Sequence, residues 1–284
     1  MFNRFQLKLI MLFFMLLDHI ASFIPNTPLW FHYVGRLVAP TFFFLLIDGY
    51  FHTRNKYNYA KRLFVASGIM ASGNILITTL FPSRITNGDV NIYLVGIMIT
   101  AAVLLSTYIA YKAPSENMFR IIFCGVIMLL APIIFSIIFT DVRGVKNNIF
   151  LSMAFSIVLL NFIEIRDKEN NNPLTSLSII IIIFLSLFTE GSILGPILTF
   201  IFYYFRDKKL SLVLFYSIFS LLFMGNNFSY NGLFIENIQW MMIFSIPFFF
   251  SYNGKKGSDL KYLFYAFYPI HIWILYIIGF FIKR

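Results

Sequence analysis

Residues 7–24 read LKLIMLFFMLLDHIASFI, from Leu7 to Ile24, and this stretch decides what kind of protein the chain is. It is long enough to cross a bilayer as a helix, since a span needs about 20 residues with a range of about 17–25. Near its end, however, it carries Asp18 and His19 side by side. Ionisable side chains inside a span cost roughly 2.5–3.5 kcal/mol each on insertion scales, so they face protein or a wet cavity and mark function. Arg4 and Lys8 ahead of Leu9 to Leu17 would also suit a secretory signal, but the apolar run continues through Asp18-His19 to Ile24 without a small-residue cleavage site. The stretch is expected to be a retained first span.

Composition points the same way. Of the 284 residues 59% are hydrophobic, 20% aromatic and only 12% charged, more apolar surface than a soluble domain of this size can hide. A net charge of +10 suits nucleic acid in other chains, but here the basic residues form no tract in polar surroundings. They punctuate the apolar runs, as a topology signal does. The single cysteine, Cys124, excludes a disulfide framework.

Outward from the first stretch, about eleven apolar segments follow one another, near 7–24, 35–51, 60–81, 92–112, 119–140, 147–165, 175–189, 191–205, 210–225, 237–252 and 261–282. The seventh and eighth are short and are interrupted by Thr189-Glu190-Gly191 and Gly195-Pro196, which suits a tight hairpin, a broken helix or a re-entrant pair. The expected fold is an all-α polytopic transmembrane helical bundle of ten or eleven spans, forming one integral membrane domain over 1–284. With eleven spans and a cytoplasmic N-terminus, sixteen Lys and Arg fall on the inner side and six on the outer, the bias that sets orientation.

This topology places Asp18 and His19 in the outer half of the first span, Arg36 at the outer start of the second, and His271, after Tyr268-Pro269, midway along the last. Lys8, Met15 and His19 lie roughly along one helical face, with Asp18 about 100° away. A carboxylate near an imidazole sets its tautomer and raises its basicity, as a general base near neutral pH requires. Adjacent residues on a helix do not readily bond each other, so Arg36 is the expected partner of Asp18. Plainer readings stand beside these: a polar clamp between helices for Asp18 and His19, snorkelling for Arg36, and, for His271, satisfaction of carbonyls freed by the Pro269 kink. His32 and His52, near loops, read as solvated. The histidines are dispersed, no Cys/His spacing suggests a metal, and neither a phosphate-cradling glycine loop nor a nucleophile elbow is present.

An ordered set of short motifs resembles the TraX family of membrane proteins, named for the F-pilin acetylase. The set runs from Leu7-Lys8 to Asp18-His19-Ile20, then Gly35-Arg36-Leu37 with Pro40, Phe42 and Phe44, then Asp48-Gly49-Tyr50, Thr53-Arg54 and Tyr59 to Arg62-Leu63. It resumes at Thr189-Glu190-Gly191 with Gly195, at Gln239-Trp240 with Pro247, and at Tyr252-Asn253-Gly254-Lys255-Lys256-Gly257. It closes on Lys261-Tyr262, Phe264-Tyr265 and Phe267-Tyr268-Pro269-Ile270-His271. Residues 95–170 contribute almost nothing. Asp48 stands where the family more often has Glu, and Ala39 where Phe usually precedes the proline.

The resemblance implies a multi-pass acetyltransferase of the bacterial cytoplasmic membrane that draws on acetyl-CoA as co-substrate, without a metal. The acceptor it implies is a pilin-like or other peptide amine, or a hydroxyl of a cell-surface glycan. On this reading His19 is the general base or takes the acetyl group transiently, Asp18 supports it, and Arg36 or His271 steadies the oxyanion or orients the base. Arg54, Lys56, Tyr59 and Arg62, with Lys255, Lys256 and Lys261, are the expected holders of the nucleotide phosphates; a positive-inside anchor is the alternative for each. A transporter or flippase using Glu190 and the 189–196 break as coupling site is a different class that the same intramembrane charges suit. A non-catalytic relative on the same scaffold is a third.

Overall fold

The computed structural model describes residues 1–83, 90–114, 117–168, 172–258 and 261–282. Arg84, Lys283 and Arg284, counted above for orientation, lie outside the described residues, as does the side chain of Lys261. The described residues form an α-helical protein without a strand; one isolated bridge joins Phe2 and Tyr252.

Asparagine starts the helices. Asn3, Asn55, Asn91, Asn117 and Asn172 each accept a backbone N–H at the first turn of α1 (Arg4–Phe23), α4 (Lys56–Leu80), α5 (Ile92–Lys112), α6 (Met118–Ile138) and α8 (Pro173–Ser186). An amide oxygen here satisfies donors that the helix itself leaves orphaned. At Asn3 the bond is reciprocal, because Gln6 returns it to the Asn3 backbone N–H.

Among the described residues, seven helices are long and apolar enough to cross a membrane by length and composition: Arg4–Phe23, Trp30–Phe51, Lys56–Leu80, Ile92–Lys112, Met118–Ile138, Ile149–Lys168 and Tyr262–Ile282. Four apolar helices are shorter: Pro173–Ser186, Leu194–Tyr204, Lys209–Met224 and Ile238–Ser251. Each apolar segment of the sequence corresponds to one of these. The short ones have local causes. Thr189-Glu190-Gly191 separates α8 from α9 (Leu194–Tyr204). Gly225, at φ +69, ends the helix that begins with α10 (Lys209–Leu221). Ile238–Ser245 is wound as a 3₁₀ helix until Pro247 opens α11 (Ile246–Ser251).

The chain divides into two compact units, Tyr50–Pro196 and a second one composed of Met1–Gly49 with Ile197–Arg284. In the first, α4 packs against α5, α6 and α7 (Ile149–Lys168), and α7 against α8. From Phe150 to Leu160 every residue of α7 is buried, so this helix is apolar all round because protein surrounds it. Its N-terminus is closed by the loop that interrupts the α8–α9 pair. The Glu190 carboxylate accepts the Asn148 backbone N–H and Asn147 Nδ2, Ser152 Oγ donates to Thr189 Oγ1, and Gly191 N donates to Ser152 Oγ.

In the unit that holds both termini, α1 and α12 (Lys261–Ile282) run parallel. The backbone N–H groups of Arg4 and Phe5 donate to the carbonyls of Lys255 and Lys256, and at the far end Gly279 lies against the Phe23 carbonyl. Between these ends the buried face of α1 is Leu7, Met11, Leu12, Met15 and His19. The chain then turns through α2 (Trp30–Gly35) and α3 (Val38–Phe51), with α2 packed on α1. An aromatic cluster of Phe44, Phe202, Tyr216 and Phe249 joins α3, α9, α10 and α11.

Candidate functional site

Two polar layers interrupt the apolar interior of this unit, about 21 Å apart along α1 at about 1.5 Å per residue. At the start of α1, Arg4 pairs with Asp48, near the end of α3, and the Tyr252 hydroxyl donates to the same carboxylate at 2.9 Å. This layer fixes the segment 252–257 against the helix start. Gly257, at φ +71, lies so close to Asn3 that no Cβ fits there.

At the other layer, Arg36 Nη2 donates to both oxygens of Asp18 at 3.0 Å. Its Nε donates to the His32 carbonyl at 3.1 Å, and Nη1 to Gln239 Oε1 at 3.1 Å. All three guanidinium nitrogens are thereby engaged, a combination only arginine offers. His32 Nδ1 lies 2.7 Å from Asp18 Oδ1. Asp18 thus pairs with Arg36 and His32 rather than with its chain neighbour. The approach depends on Gly35, because a Cβ there would overlap the Asp18 carboxylate. Gly35→Ala is accordingly expected to cost about 1–3 kcal/mol, the usual range for forcing extra volume into a packed site, read as a lower thermal midpoint of the detergent-purified protein.

On the buried face of the same helix, His19 Nδ1 lies 2.7 Å from His271 Nε2, and His271 Nδ1 lies 2.6 Å from the Phe267 carbonyl. The order of protons follows from the last group. A carbonyl only accepts, so in the neutral pair His271 carries its proton on Nδ1 and its Nε2 is an acceptor. His19 must then donate from Nδ1, which leaves the lone pair on its Nε2. Among the described residues no hydrogen bond engages that atom. The rings of Tyr268 and Phe23 flank His19 at centroid distances of 6.2 and 6.5 Å.

The cationic residues read from the sequence divide between the units. Lys255 and Lys256 are exposed on the segment pinned to the start of α1, and beyond Gly254, at φ +75, there is open space. In the other unit Lys56 is engaged: its ammonium lies 2.6 Å from both oxygens of Glu164 and 4.3 Å from the centre of the Tyr50 ring. Arg62 lies over the Tyr59 ring at 5.7 Å, and Arg54 is exposed. Glu190, on which a transport reading turns, caps α7.

Sequence reasoning missed His32, read as a solvated loop residue, and gave Arg4, Asp48, Tyr252 and Gln239 no place in a site. For His32 a signal existed, since it stands four residues before Arg36 and so shares its helical face. Asp48 signalled itself as a carboxylate within an apolar run. Nothing local marks its partners.

Fold and site together define a polytopic α-helical membrane protein with a buried histidine pair beside a carboxylate–guanidinium cluster. The chain belongs to the TraX protein family, whose model matches residues 3–133 and 111–279. It is also similar to a protein of Dichelobacter nodosus described as "Probable fimbrial assembly protein FimC, serogroup H1", with 25% identity over 285 residues, 96% of this chain and 94% of the relative. No solved structure matches.

Proposed function

We propose that this protein is an acetyltransferase of the bacterial cytoplasmic membrane, moving an acetyl group from acetyl-CoA to an acceptor amine of a pilin-like or other peptide. The carrying observation is the Phe267–His271–His19 chain, which leaves a lone pair on Nε2 of a buried histidine. Family membership and a relative named for fimbrial assembly support the pilin-like acceptor.

In the transfer step His19 Nε2 takes a proton from the acceptor nitrogen as that nitrogen bonds to the thioester carbon, and returns it to the sulfur as the C–S bond breaks. His271 has both ring nitrogens occupied, so its role is to hold the His19 ring and tautomer. Arg36 anchors Asp18 and, with the Nη1 N–H that is not bound to Gln239, retains a donor for a developing oxyanion.

Lys255 and Lys256 are suited to the phosphates of the donor, because they are exposed at the end of α1 remote from His19. Replacing both by alanine should raise the KM for acetyl-CoA about fivefold with kcat little changed, the effect of losing about 1 kcal/mol of exposed charge interaction. Arg54, Tyr59 and Arg62 are further candidates for the same role, whereas Lys56 would first have to leave Glu164. The test of the whole reading is transfer of radiolabelled acetyl from acetyl-CoA to a peptide amine by the detergent-purified protein. Saturable transfer supports it; well-folded protein that neither binds nor turns over acetyl-CoA overturns it.

A further inference from the structure

His32 has no part in the step just described, yet it forms the arrangement in this site that most resembles an oriented base. An ionised carboxylate only accepts, so the 2.7 Å contact places the His32 proton on Nδ1 and the lone pair of the neutral ring on Nε2. Arg36 already balances the charge of Asp18 through both oxygens. A proton arriving on His32 would therefore lie beside a carboxylate, as it does on the histidine of a Ser-His-Asp triad. His32 is also reachable, with 28% of its side chain exposed, whereas His19 is buried. Among the described residues no hydrogen bond engages its Nε2.

The chemistry of an amine acceptor supplies a use for a second base. An α-amino group titrates at about 7.7–8.0, so near neutral pH it arrives largely as an ammonium ion with no lone pair. Two protons must leave that nitrogen before an amide stands in its place. One leaves before attack and the other as the N–C bond forms.

Resting on the acetyltransferase reading above, we propose that His32, oriented by Asp18, takes the first of these protons and His19 the second. The ammonium proton passes to His32 Nε2, which holds it beside Asp18 through the attack and releases it to water from its exposed edge afterwards. The freed amine attacks the thioester carbon, its remaining surplus proton passes to His19 Nε2, and that proton leaves with the thiol when the C–S bond breaks. Protons, bonds and charge balance: an ammonium and a thioester give an amide, a thiol and one proton in solution.

The charged groups in contact with His32 are Asp18, at its Nδ1, and Arg36, whose Nε donates to its carbonyl. His19, beside Asp18 on α1, lies near enough to interact with it electrostatically. The neutral Gln239 holds Arg36 from the 3₁₀ helix, and the hydroxyl of Tyr33, the next residue on α2, donates to the Phe234 carbonyl.

The test compares wild type with His32→Gln on two acceptors between pH 6 and 9. One is a peptide with a free α-amine; the other is the same peptide with a weakly basic aminooxy group in its place, already neutral across the range. The expected result is that the ratio of α-amine to aminooxy transfer in His32→Gln falls tenfold per pH unit below the acceptor's titration. At pH 6.5 the deficit reaches up to about thirtyfold, the factor by which an amine of pKa about 8 is protonated there. By pH 9 the wild-type ratio returns. A variant whose ratio tracks wild type at every pH overturns the role of His32, and so does equal loss on both acceptors by protein of unchanged thermal midpoint, which marks a structural clamp. If His32→Gln does not fold, His32→Asn is read in the same way. Wild-type protein that acetylates neither acceptor overturns instead the reading on which this one rests.

Discussion

His19→Gln is expected to lower acetyl transfer by roughly 10²–10⁴-fold, the range a positioned general base contributes, with the loss in kcat rather than in KM. Glutamine preserves a polar group near His271 Nε2 but has no titratable lone pair to offer the acceptor. Because the loss concerns the reacting proton alone, binding of labelled acetyl-CoA and the thermal midpoint should stay near wild type. His271→Leu should lose less, roughly 10–100-fold, since it removes only the partner that fixes the His19 tautomer; effects of that size are usual for groups that orient a functional histidine. A His19→Gln protein that folds, binds acetyl-CoA and transfers at the normal rate would sink the assignment of the base.

The second large effect concerns stability. In Asp18→Asn the Arg36 guanidinium loses its counter-charge while keeping the His32 carbonyl and Gln239. Removing one partner of a buried ion pair typically costs about 3–5 kcal/mol, because the other charge is left uncompensated. Asp18 and Arg36 retain 16% and 26% side-chain exposure, so about 2–3 kcal/mol is the expected loss after water takes up part of the charge. The double variant Asp18→Asn/Arg36→Gln should be more stable than the sum of the two single losses predicts, a coupling readable from thermal midpoints in detergent. Additive losses would mean that the two charges do not stabilise one another, and that the layer is held by packing around Gly35 instead.

Much of this protein is legible in one dimension because hydropathy and helical period are local properties. The run from Leu7 to Ile24 declares a span by length, and Asp18-His19 declares itself by the cost of placing ionisable groups there. The Thr189-Glu190-Gly191 break and the Pro247 start are equally local, since Gly and Pro act on their own backbone. Even the Asp18–Arg36 pair was within reach, because the two residues are 18 apart on consecutive helices.

What a histidine touches is a different matter. His19 and His271 are 252 residues apart. Their pairing depends on α1 and α12 running parallel and on how each is rotated about its axis, and no local pattern encodes either. The same holds for Asp48, placed by tertiary packing between Arg4 and Tyr252, for Lys56, seated on Glu164, and for Glu190, committed to the start of α7. Sequence alone determined that the chain is a helical membrane protein of the TraX type and that Asp18, His19, Arg36 and His271 are polar groups carried by its apolar segments. Only the tertiary structure decided which nitrogen of His19 holds the lone pair and that the partners of Asp18 are Arg36 and His32, because a tautomer is set by the hydrogen bond at the opposite ring atom, and that bond comes from elsewhere in the chain.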